Sequence, residues 1–318
     1  MAFEKASGFS PTPPLPPGPS HGLLEKVFLN DKGLRAGWRL LLYVVFWITF
    51  SYALQFVVIG FFGFAADAFS PQKILQEDLL SFMAALGAAL LMARLERSPV
   101  DIYGLPRAGA LGKLFWQGWL LGQVEVTLLV SLIAAFGGYS FGSLSLHGLE
   151  VARWGALWLV AFVCVGLSEE YLFRGYTQYT LAQGVGFWPA AIVLSVLFGA
   201  MHLRNPGESY MGSAGVVATG LVFAFTLRRT GNLWLAVGWH ASFDFGETFL
   251  YSVPDSGMLL EHHLSRATLH GATWLTGGAA GPEGSIFSFV TLSVMAFVIH
   301  VLFPGRKSPP VPSLNENA

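Results

Sequence analysis

The chain has 318 residues, of which 53% are hydrophobic and 12% charged, about half the charged share of an average soluble domain. A formal net charge of −1 gives no electrostatic basis for a nucleic-acid partner, and one cysteine, Cys164, excludes an internal disulfide. Lipid admits only helices or closed barrels as spanning structures, and the sequence lacks period-two alternation, so it reads as an all-α, polytopic membrane helix bundle.

Residues 1–35 read as a Pro-rich cytoplasmic tail; Pro11, Pro13, Pro14, Pro16, Pro17 and Pro19 give its first part disordered or polyproline character. No apolar h-region of a signal peptide lies there. A transmembrane domain over 36–304 follows, with eight apolar segments near 38–64, 77–96, 111–137, 151–183, 187–203, 213–228, 232–251 and 284–304. Their lengths suit the roughly 20 residues that a bilayer requires. The second half of the fourth is amphipathic, which places part of it at the interface. Gly184-Val185-Gly186, followed by Pro189, predicts the turn into the fifth. Gly212 and Gly215 open the sixth and predict close helix approach. Residues 305–318 form a second polar tail.

Lys/Arg clusters set the orientation. Lys26, Lys32, Arg35 and Arg39 precede the first span; Arg94, Arg97, Arg107 and Lys113 surround the loop after the second; Arg228 and Arg229 end the sixth; Arg306 and Lys307 follow the eighth. Eight spans put all four clusters on one side, so both termini are expected in the cytoplasm, with the protein in the cell (inner) membrane. Trp38, Trp47, Trp154 and Trp158 are expected at the interface belt or against lipid. Cys164 lies in an apolar run and is expected to be an inert thiol.

Ionisable groups persist inside this apolar frame at three stations, and such groups usually face a wet cavity and carry function. Glu169, Glu170 and Arg174 form the first; Glu170 and Arg174 share a helix face at i,i+4. Phe198 and His202 form the second, His240 and Asp244 the third, and Glu247 continues the His240 face. Counted from the Gly186 turn, Glu169 and His202 sit at similar depth, roughly 24 Å at 1.5 Å per residue. The types suit hydrolysis. A carboxylate can act as general base towards water, and Arg174 can hold Glu170 in a forked pair. His202 and His240 can donate to an oxyanion, shuttle a proton or bind metal, and Asp244 can fix the His240 tautomer. Glu169, His202, His240 and Asp244 could equally form a zinc set, so the cofactor is none or a divalent metal such as Zn2+. No His-Glu-x-x-His motif occurs. Glu125 and Glu247 are expected to be helix-contact or cavity-lining groups, and His262, His263 and His270 to be scattered loop histidines.

The order Glu-Glu-x-x-x-Arg, Phe-x-x-x-His and His-x-x-x-Asp resembles the CPBP, or Abi, membrane proteases, which group type II CAAX prenyl endopeptidases with bacteriocin-processing and immunity proteins. The resemblance covers roughly residues 150–250. It implies an intramembrane endopeptidase acting on peptide or membrane-anchored protein substrates in contact with lipid. Glu169 or Glu170 would activate water, Arg174 would orient the pair, and His202, His240 and Asp244 would bind metal or the oxyanion. The third motif here has Asp244 where the family also uses Asn; an ionised Asp cannot donate to an oxyanion, which favours a ligand or His-orienting role. A non-proteolytic scaffold or immunity protein and a proton-coupled transporter are the competing classes, the last without a visible inverted repeat.

Overall fold

The computed structural model describes residues 29–30, 33–63 and 69–305, so both predicted tails lie largely outside the described residues. Of the segment read as N-terminal tail, β1 (Leu29–Asn30) and β2 (Gly33–Leu34) pair antiparallel just before the first helix. The fold is an all-α bundle: α1 (Ala36–Phe62), α2 (Pro71–Leu95), α3 (Lys113–Ala135), α4 (Leu149–Arg174), α5 (Tyr176–Val185), α6 (Phe187–His202), α7 (Tyr210–Thr230), α8 (Trp234–Phe245), α9 (Thr273–Thr276) and α10 (Ile286–Leu302). Five apolar stretches, Ala36–Phe61, Pro71–Leu95, Lys113–Ala135, Leu149–Val185 and Tyr210–Thr230, are long enough to cross a bilayer, and α6 and α10 are shorter apolar helices. The chain is an integral membrane protein.

Local chemistry sets the boundaries. Ser70 caps α2 by accepting from Lys73 N–H, with Pro71 at the first helical position; Ser209 accepts from Gly212 N–H to cap α7, and Ser285 from Phe287 N–H to cap α10. Gly231, at φ 68°, closes α7 in the left-handed conformation. Gly186, at φ 89°, makes the predicted turn into α6. The fourth predicted span is two helices, broken at Gly175, where a Cβ would sit 2.3 Å from the Tyr171 carbonyl oxygen. The seventh differs too: α8 has only 12 residues and passes into a π-helical segment, Gly246–Leu250, closed by Tyr251 N–H donating to the Gly246 carbonyl.

The helix pairs α3–α8, α2–α4, α4–α8 and α6–α7 pack most extensively, so α8 sits at the centre. Small residues allow this. A Cβ on Gly118 would lie 2.0 Å from the Leu235 carbonyl oxygen, one on Gly122 2.1 Å from Ser242 Oγ, and one on Gly238 2.1 Å from the Phe115 carbonyl oxygen. By contrast α1 is peripheral, with Tyr52, Phe56 and Phe61 turned outward as apolar surface for lipid. It is fastened through Arg39, whose guanidinium forks onto Glu96 (Nε–Oε1 2.8 Å, Nη2–Oε2 2.6 Å) and reaches Gln183 of α5.

Two expectations are adjusted. The nearest neighbours of a Cβ on Gly212 and Gly215 are Glu208, Ala280 and the Glu283 carbonyl, so these glycines chiefly admit the 280–283 loop, with Ser288 Oγ of α10 at 3.6 Å from the Gly215 position. Trp158 is fully buried and donates from Nε1 to the Glu261 carbonyl at 3.1 Å, and Trp154 stacks on His262. Both therefore bind the 252–285 segment to α4. That segment is further held by β3 (Tyr139–Ser140) pairing with β4 (Thr268–Leu269).

The α3–α8 seam yields a prediction. Gly122→Val should cost about 3 kcal/mol or more through overpacking against main chain, whereas Gly37→Ala, with nothing within 4 Å, should be neutral. Thermal unfolding of the two detergent-purified variants checks the contrast.

Candidate active site

Glu169, Glu170 and Arg174 lie in the last turns of α4, before the Gly175 break. Glu170 and Arg174 are almost wholly buried. Arg174 Nη1 donates to Glu170 Oε1 at 3.1 Å, and the same oxygen faces His240 Nδ1 at 3.0 Å. A carboxylate only accepts, so His240 carries a proton on Nδ1. Its Nε2 lies 3.6 Å from Glu169 Oε2 and 3.4 Å from Asp244 Oδ2, one helical turn on. The first and third stations therefore meet, with the His240 imidazole between three carboxylates.

Phe198 joins the second station to these. Its ring lies 4.4 Å beneath the Arg174 guanidinium carbon, 4.7 Å from the His202 ring and 6.3 Å from the His240 ring, centre to centre. His202 is held through Nδ1, 2.8 Å from the Phe198 carbonyl oxygen. That carbonyl accepts from Nδ1–H and leaves Nε2 for other partners. Room for Arg174 comes from Gly220 of α7, where a Cβ would be 2.4 Å from Nη2. Sequence reading missed this glycine, since nothing local separates it from the other small residues of α7.

Glu169, Phe198, His202, His240 and Asp244 line a cavity of about 230 Å³. Glu169, 28% exposed at its side chain, opens onto it with His202, His240 and Asp244, whereas Glu170 is wholly buried behind them. The cavity has further polar walls that sequence reading did not single out: Asp78 of α2, Asn205 after α6, and Asp255, Ser256 and Glu283 from the segment after α8. Asp78 was discoverable by the rule that flagged Glu169, but it sits at the edge of the second apolar segment and passes there for an interfacial charge. Asp255 and Glu283 carry no such signal, because only the fold brings their loop over the cavity. Burial pushes both carboxyls up to about 7, and for Glu283 the neighbouring Asp255 charge adds to it.

The remaining stations fall as follows. Glu125 is buried, accepts from Trp239 Nε1 at 2.6 Å and lines the cavity. Glu247 is buried in the π segment. His263 Nδ1 lies on the Leu260 carbonyl, His270 Nε2 on Thr268 Oγ1, and His262 on Trp154, so the loop histidines are not gathered. Cys164 is a free thiol, only partly buried. Glu169, His202, His240 and Asp244, the set the sequence offered for a metal, line the cavity together. Among the described residues, the group whose three ligand atoms all lie within 4.8 Å of one another is Glu247, Asp255 and Glu283. With Nδ1 taken by Glu170 and Nε2 lying between two carboxylates, His240 is arranged as a hydrogen-bonding hub.

Breaking the buried pair should be costly. Glu170→Ala leaves the Arg174 charge uncompensated and should lower stability by about 3–5 kcal/mol, while the Glu170→Leu/Arg174→Met double variant should recover most of it. Chemical or thermal unfolding of the three proteins measures both effects.

Residues 151–246 match the family model described as type II CAAX prenyl endopeptidase Rce1-like. No curated protein and no solved structure matched the chain. The matched stretch holds α4 to α8 and with them all three ionisable stations. The ordered motifs and this match together make residues 151–246 similar to the Rce1-like type II CAAX prenyl endopeptidases.

Proposed function

We propose that this protein is an intramembrane endopeptidase that cuts peptide bonds near the C-terminus of membrane-associated substrates, prenylated CAAX-type peptides among them. One observation carries the reading. Of the adjacent glutamates, Glu169 opens onto the cavity 3.6 Å from His240 Nε2, while Glu170 is buried against Arg174 and His240.

In this reading Glu169 is the general base. It takes a proton from water as the water oxygen attacks the scissile carbonyl carbon. The tetrahedral oxyanion is stabilised by His202, which donates to it from Nε2–H when its ring carries protons on both nitrogens, Nδ1–H being held by the Phe198 carbonyl. Glu169 then returns its proton to the amide nitrogen, the C–N bond breaks, and amine and carboxylate products leave. Glu170 and Arg174 are positioning residues that fix the His240 ring, and Asp244 accepts at its other nitrogen. No step runs through a metal. The cavity of about 230 Å³ lies below the roughly 300–1,000 Å³ of pockets that engulf a whole ligand. It suits a peptide bond and its water, with the rest of the substrate outside against lipid.

The test is cleavage of a library of lipid-anchored and unanchored peptides by the purified protein in nanodiscs. Wild type should cut anchored peptides. Glu169→Gln should lower turnover by about 10²–10⁴-fold with unfolding unchanged. Full activity in that variant rejects Glu169 as base, and the absence of any peptide cleavage by wild type rejects the endopeptidase reading.

A further inference from the structure

Beside the site above lies a second group of carboxylates that the proposed reaction does not use. Glu247 sits in the π segment at the end of α8, Asp255 in the loop that follows, and Glu283 in the 3₁₀ turn Pro282–Gly284 before α10. One oxygen from each lies within 4.8 Å of the others. That spacing is met when each stands about 2.0–2.6 Å from a common centre, the range of magnesium- and calcium-oxygen bonds.

Proximity of acids alone would mean little, but Glu247 adds an independent observation. It is wholly buried, both of its carboxylate oxygens lack a hydrogen-bond partner, and it faces the other two carboxylates. Among the described residues no lysine, arginine or histidine forms an ion pair with any of the three. A buried carboxylate with neither cation nor donor is among the most costly arrangements a fold can hold. The other two are already oriented from outside: Thr248 Oγ1 donates to Asp255 Oδ2 at 3.1 Å and Ser256 Oγ to Glu283 Oε2 at 2.7 Å. Outer hydrogen bonds of this kind hold ligand oxygens in register around an ion.

We propose that Glu247, Asp255 and Glu283 bind one hard divalent cation, of the magnesium, manganese or calcium class, which fastens the 252–285 segment to the end of α8. An all-oxygen, triply acidic set selects that class over zinc or copper, which favour imidazole and thiolate. Asp255 and Glu283 border the cavity, through which water can complete the coordination shell. The ion would join three chain segments and neutralise most of their charge, holding the loop over the chamber that contains Glu169 and His240.

The experiment uses the full chain in detergent, stripped with EDTA, dialysed and titrated with Mn2+. Electron paramagnetic resonance reads free ion, and thermal unfolding is followed in parallel. Wild type should bind one Mn2+ per chain, be displaced by Mg2+ or Ca2+, and unfold several degrees higher with millimolar ion. Glu247→Gln and Glu283→Gln should each weaken binding at least tenfold. Each removes a repelling charge, so the ion-free variants should unfold no lower than ion-free wild type while losing the ion-dependent rise. His202→Ala should bind Mn2+ like wild type. Absence of Mn2+ binding by wild type, or undiminished binding in both glutamine variants, overturns the proposal. So does loss of binding in His202→Ala, which would put the ion in the reaction chamber. Peptide cleavage is not read at any point, so failure here leaves the endopeptidase reading standing.

Discussion

A guanidinium deep inside an apolar bundle must have a negative partner, and Arg174 finds it in one oxygen of Glu170. The rest of the site is arranged around that pair. The same oxygen takes His240 Nδ1, which fixes the ring of α8, and the Phe198 ring under the guanidinium sets the position of His202 on α6. A glycine on α7 leaves the space that Arg174 fills. Four helices thus converge on one ion pair, whose worth lies less in net stability than in holding two imidazoles and the neighbouring Glu169 in fixed relation.

The cavity beside that pair is closed from the far side by chain outside the matched family stretch. The 252–285 segment contributes Asp255, Ser256 and Glu283, and Asn205 Nδ2 donates to the Ser256 carbonyl at 2.7 Å, tying it to the turn that follows His202. Glycines make the contact tight: Gly207 and Gly257 meet main chain to main chain. The chamber is therefore walled by imidazole and carboxylate on the α8 side and by further carboxylates on the loop side, an acidic surrounding in which His240 has three carboxylate neighbours.

What could be read from the residues alone was local. The i,i+4 relations of Glu170 with Arg174, Phe198 with His202 and His240 with Asp244 follow from helical period, and the structure keeps each as a contact. The apolar segments were legible because lipid demands length and hydrophobicity together. The break at Gly175 was not, since a helix can carry glycine without breaking; in the fold a Cβ here would meet the Tyr171 carbonyl oxygen, so the bent backbone needs glycine at this position. The shortness of α8 was hidden by Phe245, Phe249 and Leu250, which extend the apolar run through the π segment. Asp255 and Glu283 lay beyond reach for another reason: their role depends on where a long polar loop folds back, and no periodicity encodes that.

The seam between α3 and α8 has a consequence for how this protein can vary. Opposite Gly118 and Gly238 stand carbonyl oxygens, not side chains. A larger residue there has no facing neighbour that could be trimmed in compensation, so second-site suppressors should be scarce along this line. Because α8 also bears His240 and Asp244, any widening of the seam moves the imidazole relative to Glu169 on α4. Two inert-looking glycines, Gly118 on α3 and Gly238 on the facing side of α8, therefore hold the register of the chemistry that α8 carries.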